Sequence, residues 1–236
     1  MAVLDQIVKN EYGAGMARPR AFDEGAVLDT VSEQFWAKGY AGTSMDAIAE
    51  ATGLGKGSLY GAFGGKQKLF LRVFDAYCDR VADGVEDGLT GPEEDAYGRL
   101  CAHIRQAAAG VVADSRHRGC LLAKGAAELS EHDPEVTARS RRALDRITSA
   151  LAEDICAAQR HGDIDPAADA ERLASVVLAV LRGVEALGKA GADSDQLEGI
   201  AETAIELLPR TSSAQPSVTP QASSSASLPL AAGPGC

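Results

Sequence analysis

Lys56, Ser58 and Tyr60 place an ammonium, a hydroxyl and a phenol on one short stretch of chain, and Lys66 follows closely. Groups of this kind make no bonds by themselves; they donate hydrogen bonds to phosphate oxygens and base edges. In a helix Lys56 and Tyr60 lie one turn apart and share a face. Gly57, Gly61 and Ala62 leave that face thinly populated. A second chemistry centres on Cys120 in RHRGCLLAKG, with Arg116, His117 and Arg118 before it and Lys124 one turn after. These cations, with the partial positive charge of a helix start, favour thiolate over thiol and hence oxidation or electrophile capture. The competing expectation, and the preferred one, is a small hydrophobe packed in a core.

The elements that must position the first set are two short helices. Met45, Ile48 and Ala49 fall at i, i+3 and i+4 on one face, while Asp46 and Glu50 point to solvent. Gly53 can take a positive φ without steric cost, which permits a tight turn. Leu59 and Phe63 then lie one turn apart on a second helix, able to pack back on the first. Two helices, a glycine turn and one exposed face spell a helix-turn-helix.

Helical spacing continues through nearly the whole chain, and no strand is expected, so the fold class is all-α. Asp23 caps a first helix carrying Val27, Val31 and Phe35, which ends near Gly39. A longer helix from about Lys66 carries Leu69, Phe70, Val73, Tyr77 and Val81. The next begins near Pro92, read as the first helical position, and carries Leu100, Ile104, Ala108 and Val111. After a polar break from Asp114 to Arg118, a helix runs from Gly119 or Cys120 to about Leu129. Asp133 with Pro134 opens a long helix lined by Leu144, Ile147, Leu151 and Ile155 and closed by Gly162. Asp165 with Pro166 repeats the start signal for a helix carrying Leu173, Val176, Val177, Val180, Leu181, Val184 and Leu187. The last helix carries Leu197, Ile200, Ala201, Ala204, Ile205 and Leu208 and stops before Pro209. These two C-terminal helices show more apolar face than one subunit needs, which suggests a partner pair across a two-fold axis.

The net charge of −11 is unevenly spread. Residues 16–72 hold seven Lys and Arg against six Asp and Glu, a net of +1, which leaves −12 on the remainder. An acidic body would repel a polyanion everywhere except at that head. Five scattered cysteines (Cys78, Cys101, Cys120, Cys156 and Cys236) suit neither a disulfide framework nor a metal knuckle, and His103, His117, His132 and His161 show no metal spacing. No cofactor and no metal are expected. No apolar run reaches bilayer length and the N-terminus lacks a signal-peptide core, so the expected compartment is the cytoplasm with no membrane partner. Residues 1–15 are poorly patterned, with either Met1 or Met16 as the native start, and residues 211–236 form a Ser, Ala and Pro-rich tail that cannot bury enough surface to order.

From Phe35 to Phe70 the chain reads FWAKGYAGTSMDAIAEATGLGKGSLYGAFGGKQKLF. Gly39-Tyr40 before Thr43 and Ser44, Ile48-Ala49, Gly53-Leu54, Lys56 to Tyr60, Phe63, and Lys66 before Leu69 together resemble the TetR family of bacterial transcriptional regulators. The resemblance implies an N-terminal three-helix helix-turn-helix DNA-binding domain at residues 16–66. It implies a larger helical ligand-binding and dimerisation domain at residues 67–210. Such a protein binds a palindromic double-stranded DNA operator as a homodimer through its last two long helices, represses, and is released by a small molecule. Thr43 then matches a phosphate-contacting position, or else caps its helix. Ser44, Lys56, Gly57, Ser58, Tyr60 and Lys66 form the remaining DNA surface, with Lys66 the leading phosphate ligand. Gly55 and Gly65 stand where the family often has capping side chains.

Gly-Cys-Leu at the helix start also resembles a subgroup in which some members sense electrophiles or oxidants through cysteine. The rival effector site is an apolar pocket among Leu100, Ile104, Leu122 and Leu144. Arg139, Arg141, Arg142 and Arg146 could bind an anion or form a solvated face. No nucleophile elbow, phosphate-cradling loop or paired His ligands support an enzyme. The runner-up is a helical interaction protein that keeps the fold without specific DNA binding.

Overall fold

The computed structural model describes residues 22–211, and the expectations for the N-terminal extension and the C-terminal tail lie outside them. Among the described residues nine α-helices follow in order. α1 is Glu24–Lys38, α2 Met45–Thr52, α3 Lys56–Phe63, α4 Lys66–Gly88 and α5 Ala96–Ala113. α6 is Leu121–Leu129, α7 Pro134–His161, α8 Ala170–Lys189 and α9 Ser194–Glu206. An isolated bridge joins Ile164 to Arg210.

Most boundaries follow local chemistry. The Asp23 carboxylate accepts the N–H groups of Gly25 and Ala26 at the start of α1, and Asp133 does the same for Glu135 and Val136 with Pro134 behind it. Gly53 closes α2 and Gly162 closes α7, both in the left-handed region. Two expected starts move. Pro92 precedes a short 3₁₀ turn, Glu93–Asp95, and α5 begins only at Ala96. Asp165 and Pro166 form a turn held by the Gln159 amide on the carbonyls of Asp165 and Ala168, and Asp169 caps α8 instead. A proline one residue after an aspartate marks a turn as readily as a helix start, and the side-chain hold decided between them.

Two apolar clusters result, and α4 passes through both. The upper one joins Val31 and Phe35 of α1, Ile48 of α2, Leu59 of α3, Phe70 and Phe74 of α4, and Leu121 and Leu122 of α6. Its rings form a chain: Phe35 meets Phe70 edge-on at 5.1 Å, and Phe70 stacks on Phe74 at 5.2 Å. The lower one joins Leu100 and Ile104 of α5, Ile147, Leu151 and Ile155 of α7, and the inner faces of α8 and α9. The helix-turn-helix segment therefore shares a core with α6, which lies far along the chain.

Along the outside of α4, Asp75, Asp79, Asp83 and Glu86 face Arg139, Arg142 and Arg146 of α7. Of the arginine cluster read from sequence, these three are engaged in that ladder, and an anion would have to displace their carboxylates. No helix among the described residues is long and apolar enough to cross a membrane.

Candidate DNA-reading surface and body cavity

The exposed face of the helix pair is built as the spacing requires. Leu59 and Phe63 are buried, so Lys56, Gly57, Ser58 and Tyr60 turn outward, with Tyr60 52% exposed. The Lys56 ammonium reaches back to Asp46 of α2, and that hydrogen bond raises its pKa above the ordinary lysine value. Lys66 opens α4 with its ammonium 4.1 Å from the centre of the Tyr40 ring. Gly65 before it has φ 110° and ψ 172°, a backbone that a side chain would strain, so glycine there is a requirement and not a weak cap. A Cβ added at Gly55, Gly57 or Gly61 would meet nothing within 4 Å, which leaves the backbone of α3 open to close approach.

Thr43 is not on this surface. It is buried, its hydroxyl donates to the Gly39 carbonyl at 2.8 Å, and its N–H is taken by Tyr40. Neither expected role survives: Ser44 is the cap of α2, accepting the Ala47 N–H at 3.1 Å, and Thr43 stitches the preceding turn. Two adjacent hydroxyls could each serve as cap, and the depth of the α1–α2 turn decided which one did.

Cys120 lies at the start of α6, but the cations around it in sequence go elsewhere. Arg118 stacks 3.9 Å above the Trp36 ring and pairs with Glu33 and Asp114, Arg116 pairs with Glu33, and Lys124 donates to the Trp36 carbonyl. The thiol is 7% exposed, accepts from the Tyr77 hydroxyl at 3.8 Å, and meets the Arg182 guanidinium at 3.3 Å. Burial, with Glu185 adding to it, pushes its pKa up against the pull of Arg182. This agrees with the preferred expectation of a packed thiol and counts against the thiolate. Tyr77 and Glu185 are raised by burial as well, and burial pushes the Cys78 thiol up to about 12. His103, half-buried nearby, is lowered by desolvation and then by Arg182.

Beside this cluster opens a cavity of about 280 Å³, lined among others by Trp36 of α1, Tyr77 of α4, Val111 of α5, Cys120, and Glu185 and Lys189 of α8. The pocket lining read from sequence is wrong. Leu100 and Ile104 belong to the lower cluster, Leu122 and Leu144 to the upper one, and none of the four lines the cavity. The most regular apolar stripes were consumed by helix packing, so the space lies where polar and small residues meet: Gln106, Ala107, Gly110 and Asp114.

The cavity wall is tied to the helix-turn-helix unit by hydrogen bonds. The Trp36 indole N–H donates to the Gly119 carbonyl at 2.5 Å, and the Glu128 carboxylate accepts the Ala41 N–H at 3.0 Å. The Asp114 to Cys120 loop that carries Arg118 and Gly119 holds His117 at φ 48° and Gly119 at φ 66°. Trp36, Glu128, Arg182, Glu185 and Lys189 were not singled out from sequence, since each acts through a partner far away in the chain. The one local signal was that Trp36 is the chain's sole tryptophan.

Residues 27–73 match the family described as bacterial regulatory proteins, tetR family, and residues 96–204 match the tetracyclin repressor-like C-terminal domain. Over 206 residues the chain is 32% identical to the HTH-type transcriptional repressor ComR of Escherichia coli strain K12, covering 86% of this chain and 95% of ComR. It belongs to the TetR family.

As a TetR-family protein it is a transcriptional regulator and not an enzyme. It is also 26% identical over 198 residues to the uncharacterized regulator YezE of Bacillus subtilis strain 168, covering 82% of this chain and all of YezE. A solved structure of the TetR-family regulator CifR, a cysteine mutant bound to 26-base-pair operator DNA, superposes with a TM-score of 0.70 at 27% identity. It covers 81% of this chain and 100% of that one. The all-α expectation, with an N-terminal helix-turn-helix and a larger helical body, holds for this TetR-family chain.

Proposed function

We propose that this regulator is a homodimeric repressor that binds a palindromic operator through α2 and α3 and lets go when a small molecule occupies the cavity beneath Trp36. The observation that carries the reading is that one cavity wall is a residue of α1, so filling the cavity acts on the element that seats the helix-turn-helix. Lys56, Ser58, Tyr60 and Lys66, with the Ser44 end of α2 and the open backbone at Gly57, would meet phosphates and base edges. Relatives named as repressors and a structural neighbour carrying operator DNA support it.

Dimerisation through α8 and α9 is supported by their outer face. Val176 is 59% and Leu207 77% exposed, and a shallow, mainly apolar groove lined by Val180, Ile200, Ala204 and Leu207 runs between the two helices. A two-fold partner would cover it and set two α3 helices on half-sites about 34 Å apart, one turn of DNA. Reversible occupancy is favoured over modification of Cys120, because a buried thiol with a raised pKa is a poor nucleophile.

The test is a gel shift and footprint of the purified chain on its own upstream DNA, followed by candidate effectors. Protection of two half-sites one turn apart, relieved by an effector and equally so in Cys120→Ser, is the expected result. Protection of a single half-site contradicts the dimer. A complete absence of binding leaves a helical interaction protein that keeps only the fold.

A further inference from the structure

The charged groups around the cavity are unevenly paired. Asp114 is taken by Arg118, whose backbone N–H donates at 2.7 Å and whose guanidinium lies at 3.1 Å. Glu185 is taken by Arg182 at 3.1 Å, and Arg118 is shared with Glu33. Two ammonium groups sit beside each other, Lys189 against Gly119 and Lys124 on the Trp36 carbonyl that neighbours it. Lys189, at the end of α8, lines the cavity, and Lys124 of α6 lies within hydrogen-bonding reach of Lys189. Among the described residues neither has a carboxylate at ion-pair distance, and burial, then the neighbouring Lys189, hold Lys124 below the ordinary lysine value against the longer-range pull of Glu128 and Asp114. Like charges so placed, Lys124 half-buried and Lys189 exposed at the cavity mouth, favour an anion between them.

We infer that the effector of this regulator is a small organic acid, its carboxylate held by Lys124 and Lys189 and its apolar body laid in the cavity against Trp36, Ala107 and Val111. This deepens the effector-released reading above and rests on it. A carboxylate offers two acceptor oxygens, one for each ammonium, and charge-assisted bonds of this kind are the stronger sort. The apolar part of the wall suits an aromatic or branched aliphatic body. On a chain of net charge −11, two adjacent ammonium groups at a cavity mouth are a place where an anion gains by arriving.

The same arrangement supplies the coupling. The Lys124 ammonium donates to the Trp36 carbonyl, in the last turn of α1. An anion reaching Lys124 competes for that donor and loosens one of the ties between α6 and the helix-turn-helix unit, the others being Trp36 to Gly119 and Glu128 to Ala41. Lys124 is thus both a ligand of the effector and a positioning residue for the head.

The sole tryptophan is in the cavity wall, so intrinsic fluorescence reads occupancy without any DNA. The probes are benzoate, 2-naphthoate and 9-anthroate, each paired with its neutral amide, with inorganic phosphate as the anion lacking an apolar body. The fitting acid should bind at least tenfold more tightly than its amide and than phosphate. Lys189→Gln should bring the acid-to-amide ratio close to one, and Lys189→Arg should restore most of it, with circular dichroism checking the fold of both variants. Lys124→Gln should lower the ratio and also blunt release of DNA by the acid. If every amide binds as well as its acid, if no acid binds, or if Lys189→Gln keeps the ratio, the inference is overturned. Acid preference in a chain that shifts no DNA would leave the effector site standing and remove the repressor reading. A DNA shift with no acid preference would do the reverse.

Discussion

The α3 surface and the body cavity use similar side chains in opposite ways. On α3, Lys56, Ser58 and Tyr60 come from one turn and a half of helix, and their few partners, such as Asp46, are local and exposed. Around the cavity, Trp36, Arg118 and Lys124 come from three segments and are bound to one another across the fold, with Lys189 from a fourth alongside. A surface made for a polyanion leaves its donors free to be exchanged at little cost. Around the cavity the donors are used internally, so under the proposed reading a ligand must break something to bind. The lesson is that specificity of contact can be local, whereas coupling needs long-range bonds.

The sharpest way to separate the two regions is to break the core behind the first. Phe35 is fully buried against Tyr40 and Phe70, and Phe35→Ala should cost about 3–5 kcal/mol, read as a lower thermal midpoint with loss of DNA binding. If DNA binding is lost while Trp36 still reports ligand, the two sites are separable; joint loss would show one cooperative unit. Gly125→Ala probes the seam between them. Its Cβ would lie 2.5 Å from Phe74, an overpacking worth about 1–3 kcal/mol that outweighs the roughly 1 kcal/mol alanine gains in a helix. An unchanged melting temperature would mean that α6 shifts freely against α4.

On the DNA side, Lys66→Ala should weaken binding to all sequences alike and lower the slope of affinity against salt by about one ion. A salt titration with an unchanged slope would remove Lys66 from the phosphate contacts and leave it a partner of Tyr40 only. The smallest effect concerns His103 beside the cavity cluster. Its folded pKa lies below the unfolded value, so its neutral form favours the fold at neutral pH, and stability falls as pH drops below about 6.5 toward the folded pKa. His103→Gln should flatten the stability profile between roughly pH 7 and 5. A profile identical to the parent's would assign that slope to other groups.

Much of the fold was legible. The stripe of Val27, Val31 and Phe35, the Gly53 turn, the Asp133-Pro134 start and the Gly162 stop were all read in place, because caps and periodicity act within a few residues. The misreadings share a cause. Thr43 and Ser44 are equivalent as local chemistry, and only the position of the Gly39 carbonyl separates them. Cys120 is packed as the preferred reading has it, and the rival thiolate reading fails because Glu33, Asp114 and Trp36 draw the flanking cations away. Leu100, Ile104, Leu122 and Leu144 were chosen for being apolar, which is what put them into the helix contacts rather than into a cavity.

By itself the sequence determined that the chain is helical, where most helices start and stop, and which side chains α3 turns outward. Each of these is settled by interactions within a turn or two of chain. Only the tertiary structure decided the protonation of Cys120, the lining of the cavity and the pairing of Lys124 with Lys189. Those depend on which distant charges and surfaces are brought within a few ångströms, and the spacing of residues along the chain does not encode such distances.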